Sequence, residues 1–351
     1  MEPILNPYKN VDWGNDEHFQ IVTHAHPYID DIVDGESHFM RSYNNGMRGF
    51  AFTNYDFKTY PLNDFFDDVP ADARGIPNSE RTGMSGRPTT NIHISTPGSL
   101  KFPPQEDHPI TSTMHQYVGS WQQFVIDVLS EPWDQLSNTL LQINHPTRTV
   151  APTQADIPEL VEWMNRFYDF RPKNNKLLEI YNQSSEDGDR IGEWSDEMWQ
   201  ECIKTGRQIF AVCNPDHNIR STSFKGRNYL LLPNNATAKD FLTALAEGNF
   251  YCGLYDDGLG FQNISVEGLS INVEASNCNE IKFITDKGIE KTVTANTGDF
   301  DVPVENGEPR VFARIEIRNG DDNVMFSQPI FYREQIPDLD RKRKRQKVLL
   351  L

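Results

Sequence analysis

The chain is short of several features that would place it quickly. Its four cysteines, Cys202, Cys213, Cys252 and Cys278, include no Cys-x-x-Cys pair, so 351 residues carry no disulfide framework and a reducing compartment suits them. No apolar stretch reaches the roughly 18 residues of a membrane span. The opening Met1-Glu2-Pro3-Ile4-Leu5-Asn6-Pro7 has neither the basic nor the apolar region of a signal peptide, and the expectation is a soluble, cytoplasmic protein. Positive charge is scarce too: 33 basic residues against 51 acidic ones give a net charge of −18. That argues against broad electrostatic binding to an anionic membrane surface or to nucleic acid, which would enter only as a substrate. A small phosphorylated substrate stays compatible, because bound cations reverse the field locally. No internal repeat is found.

What is present is a recurring pattern. Four apolar runs close in residues able to bind metal or at a related position: Val22-Thr23-His24-Ala25-His26, Leu141-Gln142-Ile143-Asn144-His145, Phe210-Ala211-Val212-Cys213-Asn214-Pro215-Asp216 and, with an altered ending, Phe50-Ala51-Phe52-Thr53-Asn54-Tyr55. Short apolar runs ending in His or Asp are what buried parallel strands look like when a barrel gathers ligands at its carboxyl rim.

Residues 19–24, 50–54, 139–145, 176–181 and 208–213 read as buried strands. Asp156 can cap a helix with Pro158 in its first turn and Leu160, Trp163, Met164 and Phe167 on its apolar face. Ser195 starts a second helix anchored by Met198, Trp199, Cys202 and Ile203 and ended by Gly206. Thr237 and Asp240 form a capping box before Phe241, Leu242 and Leu245, and Gly248 stops that helix. Strands alternating with helices predict an α/β barrel-like domain over 1–258. Within it, 60–119 is rich in Pro, Gly, Asp and Thr and reads as a long rim excursion. From 259 to 333, alternating segments such as Val311/Ala313/Ile315/Ile317, separated by turns, predict a small antiparallel β-sandwich. The run Arg341–Lys347 sits in a basic tail, 334–351, that reads as disordered.

In His24-Ala25-His26 the two imidazoles, two apart on an extended strand, point to one face and can reach a single cation. Alone, each other member has an ordinary explanation. His145, held before Pro146, suits a structural strand end; Asp216 suits an Asx-turn; Glu80 suits a solvated loop. Their joint placement is what points to a metal site.

The order of these motifs resembles the polymerase-and-histidinol-phosphatase (PHP) superfamily of metal-dependent phosphoesterases, in the bacterial type with a C-terminal β domain. Asn6-Pro7-Tyr8…Asp12-Trp13 is similar to that type's opening. His24-Ala25-His26 matches the first His-x-His, and Asp31 falls at the early aspartate. Ile76 to Thr82 resembles the segment of the bridging glutamate, making Glu80 its equivalent, and Asn91-Ile92-His93-Ile94 the following histidine motif. Asn144-His145-Pro146 resembles the His-Pro motif. Leu178-Glu179-Ile180-Tyr181-Asn182 matches a strand placed behind the ligands, and Asn214-Pro215-Asp216 the last metal motif. The likeness runs over roughly 6–332 and implies a distorted (β/α)7 TIM-like barrel.

Two departures shape what it implies. Thr-Asp-His-Asp reads Thr53-Asn54-Tyr55-Asp56, and the final Asp-x-His reads Asp216-His217-Asn218, its second ligand lost to Asn218 or shifted to His217. Both histidines and the early aspartate serve one metal of a three-metal site, so the resemblance implies two cations here. His24, His26, Glu80 and Asp216 would hold one, and Glu80, His93 and His145 the other. Zn, Mn or Fe suits such donors. The implied chemistry is phosphate mono- or diester hydrolysis by an activated water, with Asp216 or His217 moving the proton and Tyr55 donating a hydrogen bond to substrate oxygen. The competing expectation, from the same departures, is a catalytically degenerate binding or scaffold protein.

Overall fold

The computed structural model describes residues 1–27, 32–33, 36–53, 60–81, 93–100, 105–107, 115–117, 139–146, 157–169, 176–183, 193–216, 219, 225–254, 258–320 and 323–333. Asp31, Tyr55, His217 and the tail 334–351 lie outside them.

The described residues are 44% strand and 17% helix, with four α-helices, arranged on several β-sheets. This overturns the expected (β/α)7 barrel. The reason lies in how neighbouring strands are joined. A β/α unit joins parallel strands through a helix, yet Glu17–Val22 pairs antiparallel with Gly226–Leu232, which pairs antiparallel with Phe250–Leu254. Leu141–Asn144 likewise pairs antiparallel with His93–Ser95. Among the described strands, parallel pairing joins Glu17–Val22 with Met47–Phe50, Met47–Phe50 with Arg74–Gly75, and Lys176–Asn182 with both Leu141–Asn144 and Phe210–Asn214.

Two sheets carry the architecture. A ten-stranded sheet runs in the order 288–293, 280–285, 312–318, 324–327, 250–254, 226–232, 17–22, 47–50, 74–75, with 330–331 also on 312–318. A six-stranded sheet runs 193–194, 176–182, 141–144, 93–95, 80–81, with 210–214 on 176–182. A three-stranded sheet (260–267, 270–276, 297–301) packs over the strands at 280–285 and 312–318 through Phe261, Ile271, Val273, Phe283 and Ile315. The late strands therefore continue the same sheet as the first strand, because Val324–Ser327 pairs with Phe250–Leu254.

Helices follow their local signals. Ile157–Asp169 buries Met164 and Phe167, and Asp196–Ile203 buries Met198, Trp199, Cys202 and Ile203. Ala238–Glu247 starts in the reciprocal Thr237–Asp240 capping box and ends at Gly248, whose φ of 81° is the left-handed turn that glycine adopts without a Cβ penalty. It buries Phe241, Leu242 and Leu245, each contributing about 1.5–3 kcal/mol.

No described helix is long and apolar enough to cross a membrane.

Candidate metal centre

The site gathers at the ends of strands from both large sheets. Glu17–Val22 stops before the histidine pair, and a parallel bridge then joins Ala25 to Asp216. Asp216 N–H donates to His24 O at 3.3 Å and His26 N–H to Asp216 O at 3.4 Å. Backbone pairing thus brings the first and last motifs together. Glu80 and His93 meet in a different way. Glu80–Arg81 pairs antiparallel with His93–Ser95, Glu80 opposite Ser95. The stretch that reads as a rim excursion contributes a buried ladder: Asn78, Ser79, Glu80 and His93 are all buried. His145 follows Leu141–Asn144 at a φ of 26°, and Asp216 sits at 51°. Both non-glycine residues are in the left-handed region, a conformation that costs energy and is found at functional sites.

Six of the expected ligands converge. His24 Nε2 lies 3.2 Å from His26 Nε2, 3.3 Å from Glu80 Oε1 and 3.5 Å from Asp216 Oδ1. His26 Nε2 is 2.9 Å from Glu80 Oε2 and 3.5 Å from Asp216 Oδ1. Glu80 Oε1 also lies 2.9 Å from His93 Nδ1 and 3.6 Å from His145 Nε2, and it accepts from Asn144 Nδ2 at 2.7 Å. Two buried three-residue groups result, His24/His26/Asp216 and Glu80/His93/His145, each with ligand atoms within 4.8 Å of one another. His24, His145 and Glu179 form a third such group. Of the expected site residues, Asp31, Tyr55 and His217 lie outside the described residues.

The donor chemistry fits a metal ion. His24 Nδ1–H donates to Glu179 Oε1 at 2.9 Å, which turns Nε2 toward His26, Glu80 and Asp216. A carboxylate behind an imidazole is the usual device for fixing a ligand tautomer. Nδ1 of His145 is buried with no hydrogen-bond partner among the described residues, a state that costs about 1–3 kcal/mol and that a cation or donor relieves. These buried His, Glu and Asp groups can hold a metal ion.

The local field favours positive charge. Burial alone would depress the His24 pKa, but the carboxylates of Glu80, Glu179 and Asp216 outweigh it and hold it well above the ordinary histidine value. Burial would raise Glu80; the rings of His24 and His93, with hydrogen bonds from His145 and His24, hold it well below the usual carboxylate range. Burial keeps His145 below the ordinary value, against its hydrogen bond to Glu80.

Buried asparagines lock the frame, and the motif pattern by itself does not reveal this. Asn214 Oδ1 accepts from Thr23 N–H (2.8 Å), Thr23 Oγ1 (3.1 Å) and His24 N–H (3.2 Å), and its Nδ2 donates to Glu179 Oε1 at 2.9 Å. Asn78 Nδ2 donates to the carbonyls of Thr23 and Ala51, while its Oδ1 accepts from Ser79 and Thr96 N–H. Asn228 spans Ile21 and Cys213. A Cβ at Gly226 would stand 2.7 Å from the Asn214 carbonyl carbon, so glycine is what lets that strand pass. The signal in the sequence was an asparagine closing each of three buried strands: Asn144, Asn182 and Asn214.

Neither a protein-family model nor a curated protein matches the chain.

Proposed function

We propose that the chain is a metal-dependent phosphoesterase of PHP-like type, acting in the cytoplasm on a small phosphorylated substrate with two divalent cations, Zn, Mn or Fe. The observation that carries this reading is Glu80. Its Oε2 faces His26 at 2.9 Å and its Oε1 faces His93 at 2.9 Å, so one carboxylate touches both groups of candidate ligands, as a bridging ligand must. When bound, such cations lower the pKa of a water and offset negative charge on a phosphoryl group. The chain's own part is to hold the donors. His24, His26, Glu80 and Asp216 would take one cation and Glu80, His93 and His145 the other. Asn144 donates to Glu80 Oε1, and Asp216 would accept a proton. The net charge of −18 calls for such cations before any phosphate approaches.

The test is metal analysis of protein purified without chelator, followed by hydrolysis of p-nitrophenyl phosphate and bis(p-nitrophenyl) phosphate with Zn2+, Mn2+ or Fe2+. Two ions per chain and metal-dependent turnover are expected. Less than one ion with no turnover ends this reading, and stoichiometric metal without turnover favours the binding or scaffold protein instead.

A further inference from the structure

Glu179 reaches both groups of candidate ligands without belonging to the pair assigned above. It lies in mid-strand within Lys176–Asn182 and is fully buried. Its two oxygens accept four donors. Oε1 takes His24 Nδ1 and Asn214 Nδ2, both at 2.9 Å. Oε2 takes Asn182 Nδ2 at 2.9 Å and the backbone N–H of His145 at 2.8 Å. A buried carboxylate survives only when its lone pairs are filled in this way. What is unusual is where the donors come from. One is the ring of a histidine in the His24/His26/Asp216 group. Another is the main chain of a histidine in the Glu80/His93/His145 group, at a residue whose φ of 26° needs outside support.

We propose that Glu179 is a positioning residue shared by the two cation sites, fixing the proton of His24 on Nδ1 and holding His145 in its left-handed conformation. The assignment rests on the reading that these groups bind cations. Glu80 would then join the two sites from the front and Glu179 from behind. A filled Glu179 leaves no oxygen over for a metal, so the His24/His145/Glu179 cluster is an outer shell and not a third ion site.

Glu179→Gln tests this. Glutamine has one acceptor, so one pair of donors loses its partner and the other keeps a neutral acceptor in place of a charged one, which is roughly half as strong. Zn2+ titration by calorimetry should show both equivalents weakened, in the range of about 10–100-fold. Weakening of one equivalent alone, or changes below about two-fold in a folded variant, would overturn the shared role. A second readout needs no folded variant: 15N-histidine NMR of wild-type protein should show a slowly exchanging His24 Nδ1–H, with or without Zn2+. A His24 ring without that proton overturns the proposal. If wild type binds no Zn2+, the metal reading fails by itself while the His24 signal still decides the role of Glu179. A Glu179→Gln variant that only melts earlier, with affinity and the Nδ1–H signal intact, would make Glu179 structural and would also overturn it.

Discussion

Replacing Asn214 with alanine isolates the frame of the site from its ligands. The side chain's Oδ1 accepts from two buried backbone donors, Thr23 N–H and His24 N–H. Asn228 keeps the carbonyls of Ile21 and Cys213, and Glu179 Oε1 keeps His24 Nδ1. The loss orphans two buried N–H groups, at about 1–3 kcal/mol each, and also takes an acceptor from Thr23 Oγ1 and a donor from Glu179 Oε1. Water entering the space left behind returns part of that, which gives about 2–4 kcal/mol. With an unfolding entropy of about 2.1 cal/mol/K per residue, the melting temperature of metal-free protein should fall by about 3–5 °C. Asn214→Asp sharpens the test. It keeps the acceptor but sets a carboxyl oxygen where Nδ2 stood, 2.9 Å from Glu179 Oε1. Two carboxylates so close favour keeping a proton on the new group in the fold. The folded state then binds more protons than the unfolded chain, and stability falls as pH rises above the ordinary carboxylate range. Thermal melts of both variants at pH 5 and pH 8 read the two effects. Asn214→Ala within about 0.5 kcal/mol of wild type, together with a pH-independent Asn214→Asp, would refute the view that this amide holds the histidine segment in place.

Other perturbations probe other parts of the chain. A Cβ at Gly253 would stand 2.1 Å from Val324 O, so Gly253→Ala should cost about 1–3 kcal/mol or more and speed hydrogen exchange at 324–327; unchanged exchange would remove the pairing that carries the late strands. Burial, with Cys213 nearby, raises the Tyr181 phenol to about 12; the neutral form is kept by the fold, so stability present below about pH 10 is lost as pH climbs to 12. Tyr181→Phe should remove about 2–3 kcal/mol of that alkaline loss in a pH series of urea melts. Chelation of bound metal should lower the melting temperature, and Zn2+ at about 1,000 times its Kd should restore about 4 kcal/mol; no response to either would leave the ligand cluster without a cation.

The legible and the illegible parts divide by range. Local chemistry reads directly: the Thr237–Asp240 capping box, the Gly248 stop and the buried face at Met198, Trp199, Cys202 and Ile203 are set within a few residues. Six candidate ligands could be picked out because each lies at the end of an apolar run or in a recognisable motif, and the structure brings all six together. What could not be read is which strand lies beside which. Glu17–Val22 has the same composition whether its neighbour runs parallel or antiparallel, so the barrel expectation failed at the pairing step. The change of texture near Gly260 is visible, but nothing in Val324–Ser327 announces that it will add to Phe250–Leu254. In sequence Asn78 and Asn214 look like any other asparagine, and only their burial shows them to be clamps.

The hydroxyl of Tyr8 donates to Phe250 O at 3.0 Å and accepts from Gln328 N–H at 2.6 Å, across 320 residues of sequence. Beside it, Leu5 and Phe331 exchange backbone hydrogen bonds. At translation rates of about 5–20 residues per second, Tyr8 waits about 16–64 s after synthesis for its partner to be made. Until then Phe250–Leu254 has an open edge where Val324–Ser327 will dock. The nascent chain therefore carries that edge unpaired from the synthesis of Phe250–Leu254 until Val324–Ser327 is made.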